Sequence, residues 1–379
     1  MLYPPLFNLV AGPGPAMATP ARLQGFARQR VAGSHLPMIL PRTGIWVDGR
    51  LWSGLDRAQL ARLDLYELPF GYRQEQYVVE TAAGTVPARV YLPPVDLCAD
   101  GTAWSLDDWI TAEGAVTLLA AGELAASDPW PDGPGLLRQW PMIWSRAHAA
   151  LRASQTVTPA TLRHAAQPGD FDLQDARPPQ GQFFRFAAMT LTHRRFDGGR
   201  SPKLAREMMV GADAALVLPY DPGRDRVLLV EQFRPGAARR GDPNPWTLEP
   251  VAGIVDAGET PQDAALRECA EEAGVTPRAL ERMFAVYASP GSTTDHFYCY
   301  LGLCDLPDDL PRRGGLAEEA EDLRLHLLGL DAALALIDSG EASAAPLVAM
   351  LLWLARQRGR IRDQAGMSNP GGASAKPSN

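Results

Sequence analysis

Four glutamates and one arginine, Glu259, Arg267, Glu268, Glu271 and Glu272, crowd the stretch from Gly253 to Val275. Carboxylates at this density suit a hard divalent cation. Magnesium takes oxygen ligands in octahedral geometry and is usually held by one or two carboxylates plus substrate phosphates. The competing reading is a solvated acidic helix face. Like charges at i,i+4 cost about 0.2–0.5 kcal/mol per pair, and Arg267 offsets part of that through Glu271, whereas a bound cation removes the conflict.

Local rules build the helix that positions these groups. Thr260 is an N-cap residue, Pro261 fits the first helical position, Asp263 follows the cap by three, and Gly274 is a C-terminal stop. The predicted helix runs from about Pro261 to Ala273. At 3.6 residues per turn Glu268 and Glu272 share one face, flanked by Glu271.

The spacing Gly-x5-Glu-x7-Arg-Glu-U-x-Glu-Glu-x-Gly-U, with U apolar, is filled by Gly253, Glu259, Arg267, Glu268, Cys269, Glu271, Glu272, Gly274 and Val275. It resembles the Nudix box, the metal platform of enzymes that hydrolyse a nucleoside diphosphate linked to another group. The flanks include Phe183-Phe184-Arg185, His193-Arg194-Arg195-Phe196, Arg206-Glu207, Val230-Glu231-Gln232-Phe233-Arg234, Ala288-Ser289-Pro290-Gly291 and Gly315-Leu316-Ala317-Glu318-Glu319-Ala320-Glu321-Asp322. From about Phe183 to Arg358 the layout is similar to bacterial ADP-ribose pyrophosphatases, including their tellurite-resistance-associated branch.

That resemblance implies a Nudix α/β/α sandwich with a mixed sheet. It makes Glu268, Glu272 and the Ala252 carbonyl ligands of Mg2+, with Mn2+ as the alternative. Glu271 and Arg267 join the catalytic cluster, and Arg267 with Glu259 ties loop to helix. Arg234 and Glu249 line the substrate pocket, and Arg206 reaches in from the partner subunit of a homodimer. Glu319 matches the general base, with Glu318 and Glu321 a position or two away. Water activated in this way cleaves ADP-ribose to AMP and ribose 5-phosphate. One departure is Ser289-Pro290-Gly291-Ser292-Thr293, where the family often has Ser-Pro-Gly-Gly-Thr, a change that bears on substrate fit.

The 379 residues exceed one such domain. Strand patterns at Ile45-Trp46-Val47, Tyr77-Val78-Val79 and Ala88-Arg89-Val90-Tyr91, with a short helix over Ala58–Asp64, predict a small α+β barrel. Leu63-Asp64-Leu65-Tyr66-Glu67, Gly71-Tyr72-Arg73 and Val90-Tyr91-Leu92 resemble the gamma-glutamylcyclotransferase-like fold, where the residue matching Glu67 is the acid/base. The substrate loop of that fold should precede Pro4-Pro5-Leu6, and the chain begins too late to include it. The bland reading of Glu67 is a hydrogen-bonded group ending a short helix. The expected division is therefore 1–94 cyclotransferase-like, 95–165 a tryptophan-rich helical connector, 166–182 a linker, 183–362 Nudix and 363–379 a disordered tail.

Composition removes several function classes. Lys203 and Lys376 are the two lysines and neither follows a Gly-rich turn, so a Walker-type phosphate loop is absent. A net charge of −8 and a pI near 5.4 leave no basic surplus for nucleic acid. The longest apolar run, Leu347 to Ala355, is too short for a bilayer. Cys98, Cys269, Cys299 and Cys304 form no C-x-x-C pair, Cys269 reads as a buried small hydrophobe, and the pattern fits a reducing cytoplasm. His193 and His326 read as structural. Two alternatives to the hydrolase remain: a non-catalytic Nudix sensor that binds a nucleoside diphosphate derivative, and a bifunctional protein that also cleaves gamma-glutamyl peptides.

Overall fold

The computed structural model describes residues 1–316 and 321–366. It divides into two compact units, Met1–Val210 and Gly211–Asn379.

The first unit opens with α1 (Pro4–Ala11) and a long hairpin of β1 (Met17–Val31) and β2 (Pro37–Ser53). The register of the hairpin shifts between Gln24 and Phe26, where Gly25 takes φ +84°, a backbone angle that other residues rarely adopt. There follow α2 (Arg57–Glu67), β3 (Arg73–Thr81), β4 (Gly84–Leu92) and β5 (Ala99–Ala103). A capping box starts α2: Asp56 Oδ1 accepts the Gln59 N–H at 2.8 Å and Gln59 Oε1 accepts the Asp56 N–H at 3.3 Å. The strands form a sheet in the order β2-β1-β3-β4 with β5 on β1. The expected small barrel is therefore an open sheet among the described residues, its core built on Leu23, Phe26, Val47, Val79 and Leu92.

Helices α3 (Leu106–Trp109), α4 (Ala115–Ala125) and α5 (Gly133–Gln155) come next. Val116, Ala120, Leu124, Leu136 and Ile143 are buried between α4 and α5, with Trp130, Trp140 and Trp144 packed around them. Strands β6 (Phe171–Asp175), β7 (Arg185–His193) and β8 (Leu204–Val210) form a separate antiparallel sheet. The stretch 166–182, expected as linker, thus contains β6, whose short Phe171-Asp-Leu173 alternation pairs with Leu191 to His193. Residues 183–210, expected with the Nudix portion, stand with the first unit because side chains anchor them there. Arg185 of β7 and Arg146 of α5 share the Glu123 carboxylate of α4, at 3.1 and 2.6 Å, and both guanidinium groups are almost fully buried. Arg146 Nη1 also donates to Phe183 O at 2.6 Å, and Arg185 Nη2 to Ser127 Oγ at 2.6 Å.

The second unit runs β9 (Ala214–Asp221), β10 (Arg226–Phe233), α6 (Pro235–Arg240), β11 (Trp246–Glu249), β12 (Val251–Ile254), α7 (Pro261–Ala273), β13 (Ala279–Tyr287), β14 (His296–Leu303), β15 (Arg313–Gly314), β16 (Leu323–Gly329), α8 (Leu330–Ser339) and α9 (Ala345–Gln364). Its sheet has the order β13-β14-β9-β10-β16-β15, with β11 on β10 and β12 on β9. The β14–β9 pair is parallel and the others are antiparallel, which makes the sheet mixed. Alternate residues of β9 point to opposite faces. Ala215 and Val217 join the core with Ala264, Ala265 and Cys269 of α7, while Leu216 and Leu218 join Leu330 of α8 and Leu347, Leu351 and Leu354 of α9. Helices on both faces give the expected α/β/α sandwich. Among the described residues no helix is long and apolar enough to cross a membrane.

Removing one partner from a buried ion-pair cluster leaves uncompensated charge and costs about 3–5 kcal/mol. Glu123→Ala should therefore destabilise the first unit by that order in chemical denaturation. A shift below about 1 kcal/mol would show that the two arginines find other partners.

Candidate active site

Helix α7 forms as its caps dictate. Thr260 Oγ1 accepts the Asp263 N–H at 3.2 Å, and Gly274 closes the helix at φ 63°. The apolar side of α7 buries Ala264, Ala265, Cys269 and Ala273 against the sheet, and this seating carries Glu268 and Glu272 inward with it. Only 9% of Glu268 and 2% of Glu272 is exposed.

Arg267 organises the carboxylates. Its Nε and Nη2 fork onto Glu259 at 3.0 Å each, and Nη2 also donates to Ile254 O at 3.0 Å. Its Nη1 reaches Glu268 Oε1 at 2.6 Å and Glu271 Oε2 at 3.0 Å. Loop and helix are thereby tied, as expected of Arg267 and Glu259. Hydrogen bonding to Glu259 leads the effects that hold the guanidinium pKa above its ordinary value. The box glycine has a steric reason: a Cβ on Gly253 would lie 1.7 Å from Glu268 Oε1.

Glu272 Oε2 accepts the Ala252 N–H of β12 at 3.1 Å, which sets Ala252 beside the carboxylate pair. Burial pushes the Glu272 carboxyl up to about 8; the Ala252 N–H opposes this, and the charges of Glu268 and Glu321 add to it. Burial likewise pushes Glu268 up to about 6, against the pull of Arg267. Cys269 is fully buried and its thiol is pushed up by desolvation, which fits a core residue and not a nucleophile.

Arg234, at the end of β10, donates Nε and Nη2 to the two Glu249 oxygens at 2.7 and 2.6 Å. Thr247 Oγ1 donates to the same carboxylate at 2.6 Å, a contact that no sequence signal marked. Glu249 is the main cause of the raised Arg234 pKa, and Glu272 and Glu321 also contribute, so the pair lies within electrostatic reach of α7.

The acidic loop begins at Gly314-Gly315. A Cβ on Gly314 would meet the Glu272 carbonyl oxygen at 1.7 Å, and Gly315 takes φ +92°, so both glycines are needed to bring the loop onto α7. Leu316 N donates to Glu321 Oε2 at 3.1 Å and Glu321 N to Leu316 O at 3.2 Å, pinning the two ends of the loop. Glu318 and Glu319 lie outside the described residues. Arg206 stands on β8 in the first unit, where its Nη1 donates to Ala205 O at 2.7 Å. His326 pairs with Glu231 at 2.7 Å.

Among the described residues no three His, Cys, Asp or Glu side chains converge closely enough to hold a metal by themselves. The donor set nevertheless fits a hard cation. Two buried carboxylates, one with a backbone N–H as its neutral partner, leave negative charge that a divalent ion would neutralise, and substrate oxygens commonly complete such a shell.

A buried carboxylate platform on the C-terminal half of a sheet-packed helix, fed by a Gly-x5-Glu loop, defines a class of phosphate-processing site. Residues 211–351 match the model of the NUDIX domain, and residues 3–110 match that described as gamma-glutamyl cyclotransferase, AIG2-like. The chain is 37% identical over 176 residues to the ADP-ribose pyrophosphatase of Haemophilus influenzae, covering 45% of this chain and 80% of that protein. It is 36% identical over 172 residues to the ADP-ribose pyrophosphatase of Escherichia coli K12, covering 45% of this chain and 81% of the relative. It is also 30% identical over 151 residues to the GDP-mannose pyrophosphatase of Citrobacter koseri, covering 39% and 76%. The chain belongs to the Nudix hydrolase family.

The raised carboxyl pKa values carry a sign for stability. The folded state keeps protons that the unfolded chain, with an ordinary Glu at 4.5, gives up. The stabilisation is full below about 4.5 and is lost as pH rises through about 6 for Glu268 and about 8 for Glu272. In chelator, Tm should fall across that interval, and Glu272→Gln should flatten its upper part. A pH-independent Tm for the wild type in chelator would count against the burial of these charges.

Proposed function

We propose that the second unit hydrolyses the diphosphate of ADP-ribose to AMP and ribose 5-phosphate with the help of Mg2+ or Mn2+. The observation that carries this reading is the buried pair Glu268 and Glu272 set beside Ala252, with the Arg234–Glu249 pair within electrostatic reach. Relatives matched at 36–37% identity over 172–176 residues are named for ADP-ribose, against 30% over 151 residues for one named for GDP-mannose, which favours ADP-ribose over a GDP-sugar.

Glu268, Glu272 and the Ala252 carbonyl would hold the cation. When bound, it neutralises phosphate oxygens and makes a water more acidic. The guanidinium of Arg234, held by both Glu249 oxygens, presents a fixed positive group to the anionic substrate. Glu271 and Arg267 keep the helix carboxylates in place. Glu319, in the acidic loop, accepts the proton of the attacking water: a new P–O bond forms, the bridging P–O bond breaks, and the departing phosphate oxygen takes its electrons. Arg206 of the partner subunit would complete the pocket in a homodimer. The four cysteines are free, which supports a cytoplasmic setting.

The deciding assay follows AMP release from ADP-ribose with and without Mg2+, beside Glu272→Gln. We expect metal-dependent turnover that drops at least about 100-fold in the variant, the scale of losing a principal electrostatic group. Binding of ADP-ribose by the wild type without turnover would favour the sensor reading.

A second activity in the first unit has its own support. Glu67 ends α2 partly buried, its carboxyl pushed up by burial; burial also pushes up Tyr66, Tyr72 and Tyr91, and the Glu67 carboxylate adds a smaller push to each. A carboxyl pushed up by burial and set among phenols suits acid/base work on gamma-glutamyl peptides, and residues 3–110 match a family of that description. Cleavage of a gamma-glutamyl dipeptide, abolished by Glu67→Gln with ADP-ribose hydrolysis intact, is the expected result; no cleavage by the wild type would reduce this unit to a structural role.

A further inference from the structure

Glu268 stands in a berth made by two neighbours, and neither leaves it free. Arg267 Nη1 holds Oε1 at 2.6 Å, and the same oxygen lies over Gly253, where a Cβ would come within 1.7 Å of it. The guanidinium is fully engaged in this arrangement, with Glu259, Glu271, Glu268 and the Ile254 carbonyl as acceptors. Around it stand five carboxylates, Asp256 at 3.8 Å, Glu259, Glu268, Glu271 and, on the next turn, Glu272, against one positive charge.

We infer that Arg267 is an internal counter-cation that competes with the divalent ion for Glu268, so that the strength of this one contact sets the metal affinity of the site. The inference rests on the hydrolase reading, in which Glu268 is a metal ligand. A carboxylate oxygen bonded at 2.6 Å to a guanidinium must give up part of that bond to coordinate a cation, and the cost is subtracted from metal binding. The other acceptors keep Arg267 in place after release, because Glu259 still holds Nε and Nη2 and Glu271 still accepts from Nη1. Arg267 is thus a positioning residue with two states of one bond. The absence of a side chain at residue 253 is what lets the carboxylate rest there.

Two variants separate this from simple charge balance. Arg267→Lys keeps the positive charge, but an ammonium cannot reproduce the planar fork that serves several carboxylates at once. Gly253→Ala leaves Arg267 untouched and puts a methyl group where Glu268 Oε1 rests. The readout is Mn2+ binding to metal-stripped full-length protein without nucleotide, followed by the electron paramagnetic resonance signal of free Mn2+, with folding checked by circular dichroism. Both variants should bind Mn2+ about tenfold more tightly than the wild type. A purely structural role for Arg267 predicts weaker binding, and pure Coulombic balance predicts no change in Arg267→Lys; either result in the folded variant overturns the inference. Should Arg267→Lys not fold, Gly253→Ala decides alone, and wild-type or weaker affinity there overturns it. No Mn2+ binding by the wild type overturns the hydrolase reading together with the inference.

Discussion

Taking carboxylates out of water without giving each its own cation is the constraint on which the second unit depends. Glu268 and Glu272 are carried inward because they share the face of α7 that seats Ala264, Ala265 and Cys269 on the sheet. The hydrophobic gain of that seating is what holds the charged side in a place it would otherwise leave. The surroundings answer the resulting charge in pieces: a guanidinium shared among several acceptors, a backbone N–H from β12, and glycines where any side chain would strike a carboxylate or the helix backbone.

The sheet makes that arrangement rigid. Strand β9 is covered on both faces, and β12 pairs with it so that Gly253 lies opposite Ala215 in the core under α7. The box loop therefore leaves a fixed strand and enters a fixed helix, and only a few residues between them have freedom to move. Glu249 ends β11, whose register with β10 places it beside Val230, and Arg234 follows directly on the last residue of β10. The polar groups of the site are thus set by backbone pairing before any side-chain contact is made.

Much of this was legible in the chain because the signals were local. The limits of α7 follow from Thr260, Pro261 and Gly274, all within one helix length, and the carboxylate face follows from the helical repeat. Long-range features were less visible. Strand β1 escaped notice because its alternation is interrupted at Gly25 and its outer face carries arginine and glutamine. Strand β6 was concealed by its proline-rich flanks and by residues that are all exposed. Nothing local tells that Thr247 braces Glu249, or that Arg185 finds its carboxylate 62 residues upstream. Such contacts are made by the fold and carry no spacing rule.

The Glu123 cluster also bears on where such a chain can be divided. The resemblance to the pyrophosphatases starts near Phe183, yet Arg185 and the Phe183 carbonyl are tied to α4 and α5, which precede that point. A chain cut between Glu123 and Arg185 would part the Arg185 guanidinium from its carboxylate, so β7 depends on a residue far ahead of it in the chain. Glu123 thus works as a clasp across the chain: a single carboxylate holds one arginine of α5 and one of β7, and a truncation meant to isolate the portion after Phe183 would leave Arg185 without its partner.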